Sequence, residues 1–347
     1  MNTKDKFPEF AQECTSQLSK HLSREVFQEL KDKKTSNGFT LDNLINSGVV
    51  NIDSDIGVYA GDEESYSLFA PLFDPIIQEY HGFSKDDKHK SNLNPDDLNA
   101  PNPDVDGKYI ISTRIRVGRN IANFPLGAAI TKEQRVEIQT QVASALNNLE
   151  GKLSGKYYPI EGMSGADSKK LIKDHFLFKD GDRFLEAAGL NRDWPSARGI
   201  YHNDEKTFLV WVNEEDQLRI ISMQMGGDIK EVFTRLSSAI GEIEKKVKFS
   251  YNEHLGYITS CPTNLGTAMR ASVHIKLPKL GSEMKQFEEI LNKYKLQIRG
   301  IHGEHSRSEG GVYDVSNSRR LGVTEVECVQ DMYDGVVALI EKEKSLS

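Results

Sequence analysis

The chain is poor in cysteine and has no long apolar segment. Its longest apolar runs, such as residues 208–212, are far shorter than the ~20 residues needed to cross a bilayer. The first ten residues are polar and lack the apolar core of a secretory signal. Cys14, Cys261 and Cys328 are too few and too scattered for a disulfide framework, and no Cys/His spacing matches a zinc site. These absences predict a cytoplasmic protein that does not enter a membrane.

The common nucleotide-binding signatures are absent too. The sequence contains no G-x-x-x-x-G-K-[ST] loop, no strand–GxGxxG–helix unit, and no HRD or DFG pair. A protein with this sequence would need another set of ligands to hold a nucleotide, and arginine side chains are one such set.

Length and charge narrow the class of protein. A chain of 347 residues is long for one hydrophobic core, so two domains are expected. The formal net charge of −8 argues against a nucleic-acid partner. The 15 arginines are nevertheless unevenly spread, because only Arg24 precedes residue 100. Counts alone leave two explanations open, ordinary surface ion pairs and a local anion site.

Apolar patterns and turn signals divide the chain into three parts. Residues 1–84 are predicted to form an all-helical N-terminal domain. Residues 85–108 are polar, carry three prolines and are predicted to form a linker. Residues 109–347 are predicted to form a larger C-terminal domain. The helices predicted in the small domain are 23–35 and 71–83, the second beginning near Pro75 and ending at Gly82.

The larger domain is predicted to hold a mainly antiparallel sheet flanked by helices. Three consecutive strands are joined by very short turns, which require antiparallel pairing because a parallel crossover needs about a dozen residues or more. Helices begin at capping boxes after Thr131 and Thr324. The fold class is therefore α+β. The predicted strands are 109–117, 198–203, 207–213, 218–227, 270–277, 296–301 and 310–316, and the predicted helices are 131–151, 229–247 and 324–344.

Five arginines stand at strand positions of this sheet. Arg114 and Arg116 are two residues apart on one strand, so their side chains point to the same face. Each arginine alone is explained by a surface salt bridge. Burying several cations without a counter-charge is costly, so together they predict a shared anion such as a polyphosphate. The five are Arg114, Arg116, Arg219, Arg270 and Arg299.

Carboxylates and a thiol are the other candidates for chemistry. Glu214, Glu215 and Asp216 occupy a tight turn between two strands, and Glu304 lies in a polar, glycine-flanked stretch. Acids in turns are usually only solvated. Cys261 lies in a loop of hydroxyl and glycine residues. It is either an inert buried thiol or one whose pKa is lowered by hydroxyl groups and nearby cations.

Four long motifs, in order, resemble the phosphagen (ATP:guanidino) kinase family. They are STRIRVGR (112–119), WVNEEDQLRIISM (211–223), CPTNLGT (261–267) and RGIHGEHSRSEGGVYDVSN (299–317), and the likeness extends through PLFDPIIQEYHG (71–82). The resemblance implies a small helical domain and a large antiparallel-sheet domain similar to glutamine synthetase. It implies reversible transfer of the γ-phosphoryl group of ATP to a small guanidino compound, with Mg²⁺ held by phosphate oxygens and water rather than by a protein metal site. A monomer without nucleic-acid or membrane partners is expected.

The resemblance also assigns roles to residues. The catalytic residues it implies are Glu215, Glu304, Cys261 and Arg219. The nucleotide-binding residues it implies are Ser112, Thr113, Arg114, Ile115, Arg116, His175, Arg219, Arg270, Ala271, Ser272, Val273, His274, Arg299, Gly300, Ile301, His302, Gly303 and Glu304. The acceptor-binding residues it implies are Ser54, Asp55, Ile56, Gly57, Val58, Tyr59, Glu215, Cys261 and Glu304.

These roles suit the chemistry of a guanidinium. Its pKa lies above about 12, so a nitrogen becomes a nucleophile only when a proton leaves. Two carboxylates and a thiolate would orient the plane of the group, and one carboxylate would take the proton. Arginines and Mg²⁺ would stabilise the anionic transferring group. The stretches 51–61 and 303–311 are predicted to be lids that exclude water.

The small-domain loop 51–62 is expected to select the acceptor. Its sequence DSDIGVYAGD resembles that of family members that act on arginine, which predicts L-arginine and an energy-buffering role. In those family members, the position of Asp55 usually holds glycine and the position of Gly61 usually holds proline. Asp55 should repel an acceptor carboxylate unless its side chain turns away, so taurocyamine or hypotaurocyamine stay open as acceptors. A bacterial-type protein-arginine kinase generally lacks residues like 1–83. An inactive nucleotide- or guanidine-binding protein is the alternative from another class.

Overall fold

The computed structural model describes residues 6–299 and 310–346. Within these residues, a small helical part precedes a large part in which helices flank an antiparallel sheet. The predicted α+β fold class is therefore confirmed. Among the helices of these two ranges, none is both long enough and apolar enough to span a membrane.

The helical domain consists of short, well-capped helices. The Ser23 hydroxyl accepts a hydrogen bond from the Val26 amide, and Thr40 and Asn43 form a reciprocal capping box. The apolar faces of the helices pack into one core. The helices are α1 (Gln17–His21), α2 (Arg24–Leu30), α3 (Leu41–Val50), α4 (Glu63–Leu68) and α5 (Ala70–His81).

Helix α5 begins earlier than predicted. It starts at Ala70, and Pro75 lies inside it, so the predicted start near Pro75 is wrong. Pro71 occupies the first turn, where no intrahelical partner for its nitrogen is needed. Gly82 ends the helix as predicted, with a left-handed φ of 65°.

The large domain is built on an eight-stranded sheet, as far as the described residues show. Every pairing in it is antiparallel, as predicted. The strands are β1 (Ile110–Arg119), β2 (Gly155–Pro159), β3 (Gly199–Asn203), β4 (Phe208–Val212), β5 (Leu218–Met225), β6 (Tyr251–Asn252), β7 (Gly256–Tyr257), β8 (Met269–Lys276), β9 (Leu296–Arg299) and β10 (Val312–Asn317). Their order in the sheet is β2-β3-β4-β5-β1-β8-β10-β9, and β6 pairs with β7 separately.

Four helices of the large domain contribute buried residues to the core on one face of this sheet, whereas Leu171 and Ile172 pack with Ile200, Leu209 and Ile221 on the other face. Ile115 and Val117 of β1 face a large apolar core together with α9 and α11. Arg114 and Arg116, at the alternate positions, therefore lie on the opposite face. The helices are α6 (Lys132–Asn147), α7 (Gly165–Lys173), α8 (Arg183–Ala187), α9 (Ile229–Glu244), α10 (Met284–Lys293) and α11 (Glu325–Ser345).

The segment between the domains packs against the large domain. Leu98 and Ala100 are buried in the large core. The buried Glu325 of α11 accepts hydrogen bonds from the Ser91 hydroxyl and the Asn92 amide, and one of its oxygens lies 3.6 Å from the buried Arg119 guanidinium. These contacts fix the chain that leads into β1.

Candidate active site

A cleft of about 380 Å³ lies between the helical domain and the arginine-bearing face of the sheet. Both domains contribute to it, which is typical of substrate sites. Nine residues singled out from the sequence line this cleft together: Ser54, Asp55, Ile56, Tyr59, Arg116, Glu215, Arg219, Cys261 and Arg299.

Four arginines converge at the floor of the cleft. Arg116 on β1 lies directly opposite Arg270 on β8, and Arg219 on β5 lies opposite Gly118 on β1. With Arg320 they surround a narrow hollow of about 20 Å³. We call these four and Arg114, which lies two positions before Arg116 on β1, the arginine cage.

The cage has more positive charge than the surrounding acids neutralise. Burial, together with the charges of Arg219 and Arg270, lowers the pKa of Arg114 to about 10. Burial and the same kind of repulsion hold the pKa of Arg116 well below its ordinary value. Such shifts mean that the charged guanidinium groups destabilise one another, so an anion bound among them would relieve the repulsion.

Several buried donors of the cage lack a hydrogen-bond partner among the described residues. They are Nε and Nη2 of Arg114, Nε of Arg270 and Nε of Arg320. Unpaired buried donors cost free energy, so they are rare unless something binds them. Oxygens of a polyphosphate are acceptors of the right kind.

Acidic and aromatic neighbours hold the cage in shape. Arg219 lies 3.0 Å from Glu214 and 3.3 Å from Glu215, and Arg270 donates to Asp314 over 2.8 Å. The Trp211 ring lies beneath the Arg114 and Arg219 guanidinium groups, with 5.7 Å and 5.3 Å to the ring centre. These contacts orient Arg114, Arg219 and Arg270.

Glu215 faces the cleft from the turn between β4 and β5. Its neighbour Asp216 is anchored, because one carboxylate oxygen accepts from Asn120 Nδ2 and the Ser260 amide. Burial and the nearby Asp216 carboxylate raise the pKa of Glu215 to about 8, against the opposing charge of Arg219. A carboxyl group that titrates close to neutral pH suits a proton acceptor.

Cys261 lines the cleft but is not a thiolate in this structure. Its Sγ lies 3.0 Å from the Thr263 hydroxyl, which by itself favours the anion. Burial and the charge of Glu215 outweigh that contact and raise the pKa of the thiol to about 12. Of the two alternatives for this thiol, the buried and protonated one is therefore favoured in the protein without substrate, since burial dominates over the hydroxyl neighbours.

The loop 51–62 forms the wall opposite the cage. Its backbone is fixed by the α1 and α3 helices, because the Gln17 amide donates to the Asp55 carbonyl and the Gly48 amide to the Gly57 carbonyl. Asp53 pairs with Arg183 at the start of α8. Asp55 itself is exposed and lines the cleft. Val58 is fully buried in the small core, so its side chain does not face the cleft.

Gly61 is explained by the ring of Phe39. A Cβ atom at position 61 would lie 2.4 Å from that buried ring, so no side chain fits there. We expect Gly61→Ala to lower the free energy of unfolding by about 1–3 kcal/mol through overpacking. The measurement is denaturant unfolding. Gly241→Ala, in α9 with no atom within 4 Å of its Cβ, is the control and should not destabilise. An unchanged stability of Gly61→Ala would contradict this explanation.

The structure places the residues predicted to bind nucleotide in different surroundings. Ser112, His274 and Arg299 lie next to the cage on β1, β8 and β9, in line with Asp314 of β10. The side chains of Ile115, Ala271 and Val273 belong to the helix-side core, and Thr113 is fully buried, so at these positions only the main chain is available to a ligand. Ser272 lies opposite Arg114. The residues Gly300, Ile301, His302, Gly303 and Glu304 lie outside the described residues.

His175 lies on the same side of the sheet as the cage. It is exposed just after α7, with a left-handed φ of 59°. The carbonyl of the next residue, Phe176, accepts a hydrogen bond of 2.7 Å from Nε1 of Trp211. His175 is thereby tied to the ring that supports Arg114 and Arg219.

Sequence reasoning missed several residues of the site. Arg320 is the most prominent, because it lines both the cleft and the narrow hollow. It follows the end of β10 and so lies near a strand end, as Arg219 and Arg270 do, and this was the available signal. Trp211, Thr263 and Asn264 also contribute, and Glu214 was noted only as a turn acid.

The described residues contain no group of three or more His, Cys, Asp or Glu that could hold a metal ion. A divalent cation in this cleft would therefore depend on oxygens of a bound ligand and on water, as Mg²⁺ commonly does with nucleotides.

The fold and the cleft define a two-domain phosphotransferase with an anion cage beside an acid–thiol pair. The chain belongs to the ATP:guanido phosphotransferase family: residues 12–78 match its N-terminal domain and residues 137–346 its C-terminal catalytic domain. This confirms the resemblance inferred from the motifs.

Relatives and solved structures agree with this assignment. The chain is 57% identical over 339 residues to the arginine kinases Lit v 2 of Penaeus vannamei and of Callinectes sapidus, covering 97% of this chain and 95% of each relative. Its structure resembles that of lombricine kinase with a TM-score of 0.92 and 42% identity, covering 99% of this chain and 95% of that one. It also matches a duplicated taurocyamine kinase of Schistosoma mansoni with a TM-score of 0.91 and 43% identity. That match covers 96% of this chain but 48% of the duplicated one.

Proposed function

We propose that this protein reversibly transfers the γ-phosphoryl group of ATP to a guanidino nitrogen of L-arginine, giving phosphoarginine and ADP. One observation carries the proposal: three arginines of the cage, Arg116, Arg219 and Arg320, line the same cleft as an acid–thiol pair. The cage suits a polyphosphate, and the pair suits a planar cation. The 57% identity to arginine kinases supports arginine as the acceptor.

The cage would bind the phosphates and stabilise their charge during transfer. Arg116 and Arg219 line both the hollow and the cleft, so they stand where the terminal phosphate would meet the acceptor. Mg²⁺ bound to phosphate oxygens would supply further charge stabilisation. The fixed directions of the cage cations mean that little reorganisation is needed when charge shifts to the leaving ADP.

Glu215 would accept the proton that leaves the guanidinium. As the nitrogen attacks the γ-phosphorus, the bond from that phosphorus to the bridging oxygen of ADP breaks, and the proton passes to a Glu215 oxygen. Cys261 would contact the guanidinium from the same wall of the cleft. The acceptor cation would replace the missing counter-charge around Glu215 and so restore its carboxylate form. Glu304 is proposed as the second carboxylate.

Acceptor binding is therefore expected to strengthen as pH rises. The pKa of Glu215 near 8 means that, below this pH, binding of the cation must expel a proton from the carboxyl group. The dissociation constant for arginine should fall by up to ~10-fold per pH unit between pH 6 and 8 and then level off. Calorimetric titration in buffers of different ionisation heat measures both the affinity and the released proton. Glu215→Gln should abolish the release. A proton count of zero in the wild type below pH 8 would contradict this role.

Asp55 favours an acceptor that carries an ammonium group. Its exposed carboxylate lies on the acceptor side of the cleft, where it would attract the α-ammonium of arginine and offset the repulsion of the α-carboxylate. Taurocyamine and hypotaurocyamine have an anion at that end and no ammonium, so the same residue would weaken their binding. Taurocyamine stays the second candidate, since a taurocyamine kinase is among the similar structures.

The remaining assignments follow from the same function. We propose a cytoplasmic monomer that needs Mg²⁺, with the helical domain at 1–84, the linker at 85–108 and the catalytic domain at 109–347. The acceptor loop would be 51–62, and that loop and residues 303–311 would exclude water. An inactive binding protein is disfavoured because Glu215, Cys261 and three arginines of the cage line one cleft.

A coupled assay of ADP release tests the proposal. The protein is incubated with ATP and Mg²⁺ and, separately, with arginine, taurocyamine, creatine and glycocyamine. We expect rapid release of ADP with arginine and little or none with the other three acceptors. Faster turnover of taurocyamine would identify the second candidate, and no release with any acceptor, from protein that binds ADP, would indicate an inactive binder.

A further inference from the structure

Side chains of both domains contact the turn that follows Cys261. Residues Pro262–Asn264 form a single short helical turn. The Pro262 carbonyl lies 2.8 Å from Nε2 of His81, the last residue of α5 in the helical domain. From the catalytic domain, Nη1 of Arg320 donates to the Thr263 carbonyl over 2.9 Å and to Asn264 Oδ1 over 2.8 Å.

This turn contacts both groups that face the acceptor. The Thr263 hydroxyl lies 3.0 Å from Cys261 Sγ, and Asn264 Nδ2 donates to Glu215 Oε1 over 3.4 Å. A displacement of the turn would therefore move the thiol and alter the support of the carboxyl group together. Misplacement of reacting groups by about 1 Å can cost ~10²-fold in rate.

His81 is a side chain by which the helical domain reaches the turn itself. Two other contacts from that domain hold the chain just before Cys261: the Tyr66 hydroxyl donates to the Thr259 carbonyl, and the Ala60 amide to the Ser260 carbonyl, each over 2.7 Å. Only the His81 contact lies after Cys261 among these three. The His81 contact therefore holds the main chain on the C-terminal side of Cys261.

The protonation state of His81 suits a permanent donor. Burial, with a smaller effect from the nearby Arg320 charge, lowers the pKa of His81 to about 4, so its ring is neutral near neutral pH. A carbonyl oxygen only accepts hydrogen bonds, so the ring proton must lie on Nε2.

We propose that His81 is a positioning residue, which sets Cys261 and Glu215 against the acceptor by holding the Pro262–Asn264 turn. The inference rests on the proposed function for the meaning of that geometry. In this role, His81 makes correct placement of the acceptor depend on the contact between the helical domain and the Pro262–Asn264 turn. A purely structural role, in which His81 only fastens α5 to the large domain, is the alternative.

The test compares His81→Leu, which removes the donor, with His81→Gln, whose amide nitrogen replaces Nε2. His254→Leu is the control, because His254 also contacts a main-chain carbonyl, that of Asp87 at 2.8 Å, and lies outside the turn. Three quantities are measured: kcat and KM for each substrate, the rate of Cys261 alkylation by iodoacetamide read from its peptide, and the melting temperature. Cys14 alkylation serves as an internal reference.

We expect His81→Leu to lower kcat at least ~10-fold, with KM for ATP within twofold of the wild type. The rate of Cys261 alkylation should change severalfold, while the rate of Cys14 alkylation stays the same. His81→Gln should recover most of the wild-type kcat and of the wild-type rate of Cys261 alkylation. His254→Leu should alter neither quantity. If His81→Leu does not fold, His81→Asn replaces it, since its shorter side chain fails to reach the carbonyl.

A lower melting temperature with unchanged kcat and unchanged Cys261 alkylation would overturn the proposal. Alkylation does not depend on turnover, so a failure of the proposed function would appear separately as a wild type without phosphotransfer.

Discussion

Glu215→Gln is expected to lower kcat by at least ~10²-fold, with a smaller effect on KM for ATP. Glutamine keeps the shape of the side chain and a donor-acceptor group, but it takes no proton from the guanidinium. The amide also cannot form the carboxylate that would pair with Arg219, whose guanidinium lies 3.3 Å from Glu215 and 3.0 Å from Glu214. Steady-state kinetics with arginine and ATP measure the loss.

The control for this variant is Glu205→Gln, in the exposed turn between β3 and β4. It changes the net charge by the same amount and should leave kcat within twofold. A kcat of Glu215→Gln close to the wild-type value would remove the proton-acceptor role of Glu215. The calorimetric proton count would then show whether the carboxyl group still contacts the acceptor.

Arg116→Ala should separate activity from stability. Arg116 lines both the hollow and the cleft, and removal of one fixed donor to a transferring group costs ~10²–10³-fold in kcat. The lowered pKa of Arg116 means that its charge is unfavourable in the protein without nucleotide. Its removal should therefore leave the melting temperature equal or higher, while ADP binding weakens. Kinetics, ADP calorimetry and thermal unfolding together test this.

Two further variants sharpen the result. Arg116→Lys keeps the charge but not the two-pronged donor, so it should recover only part of the activity. Arg24→Ala removes an exposed arginine of the helical domain and should change neither kinetics nor ADP binding. An Arg116→Ala protein that unfolds readily but binds ADP normally would mean that the cage is structural.

Most of the fold was predictable because its signals are local. Capping boxes at Thr131 and Thr324 fixed two helix starts, and short turns forced antiparallel pairing of β3, β4 and β5. Helix α6 nevertheless ends at Asn147 rather than near Gly151. The edge strand β2 and helix α10 were not predicted. Strand β2 is short and half-exposed and pairs only with β3, so its pattern carries little signal.

The site was predictable in its charged residues but not in its supports. Strand alternation placed Arg114 and Arg116 on one face, and the motifs singled out Glu215 and Cys261. The high pKa of the Cys261 thiol arises from burial under the helical domain and from Glu215, both of which depend on tertiary packing. The contact between His81 and Pro262 joins residues 181 positions apart, so no local pattern announces it.

The account depends on a phosphate cage and a guanidinium site in one cleft, and phosphorus-31 NMR tests this most directly. The wild-type protein is mixed with ATP, Mg²⁺ and L-arginine, and the phosphorus signals are followed with time. The account predicts that the γ-phosphate signal of ATP declines while a phosphorus–nitrogen signal of phosphoarginine appears, and that added ADP reverses the change. Conversion of the γ-phosphate to inorganic phosphate alone, or no change in the presence of bound nucleotide, would contradict it.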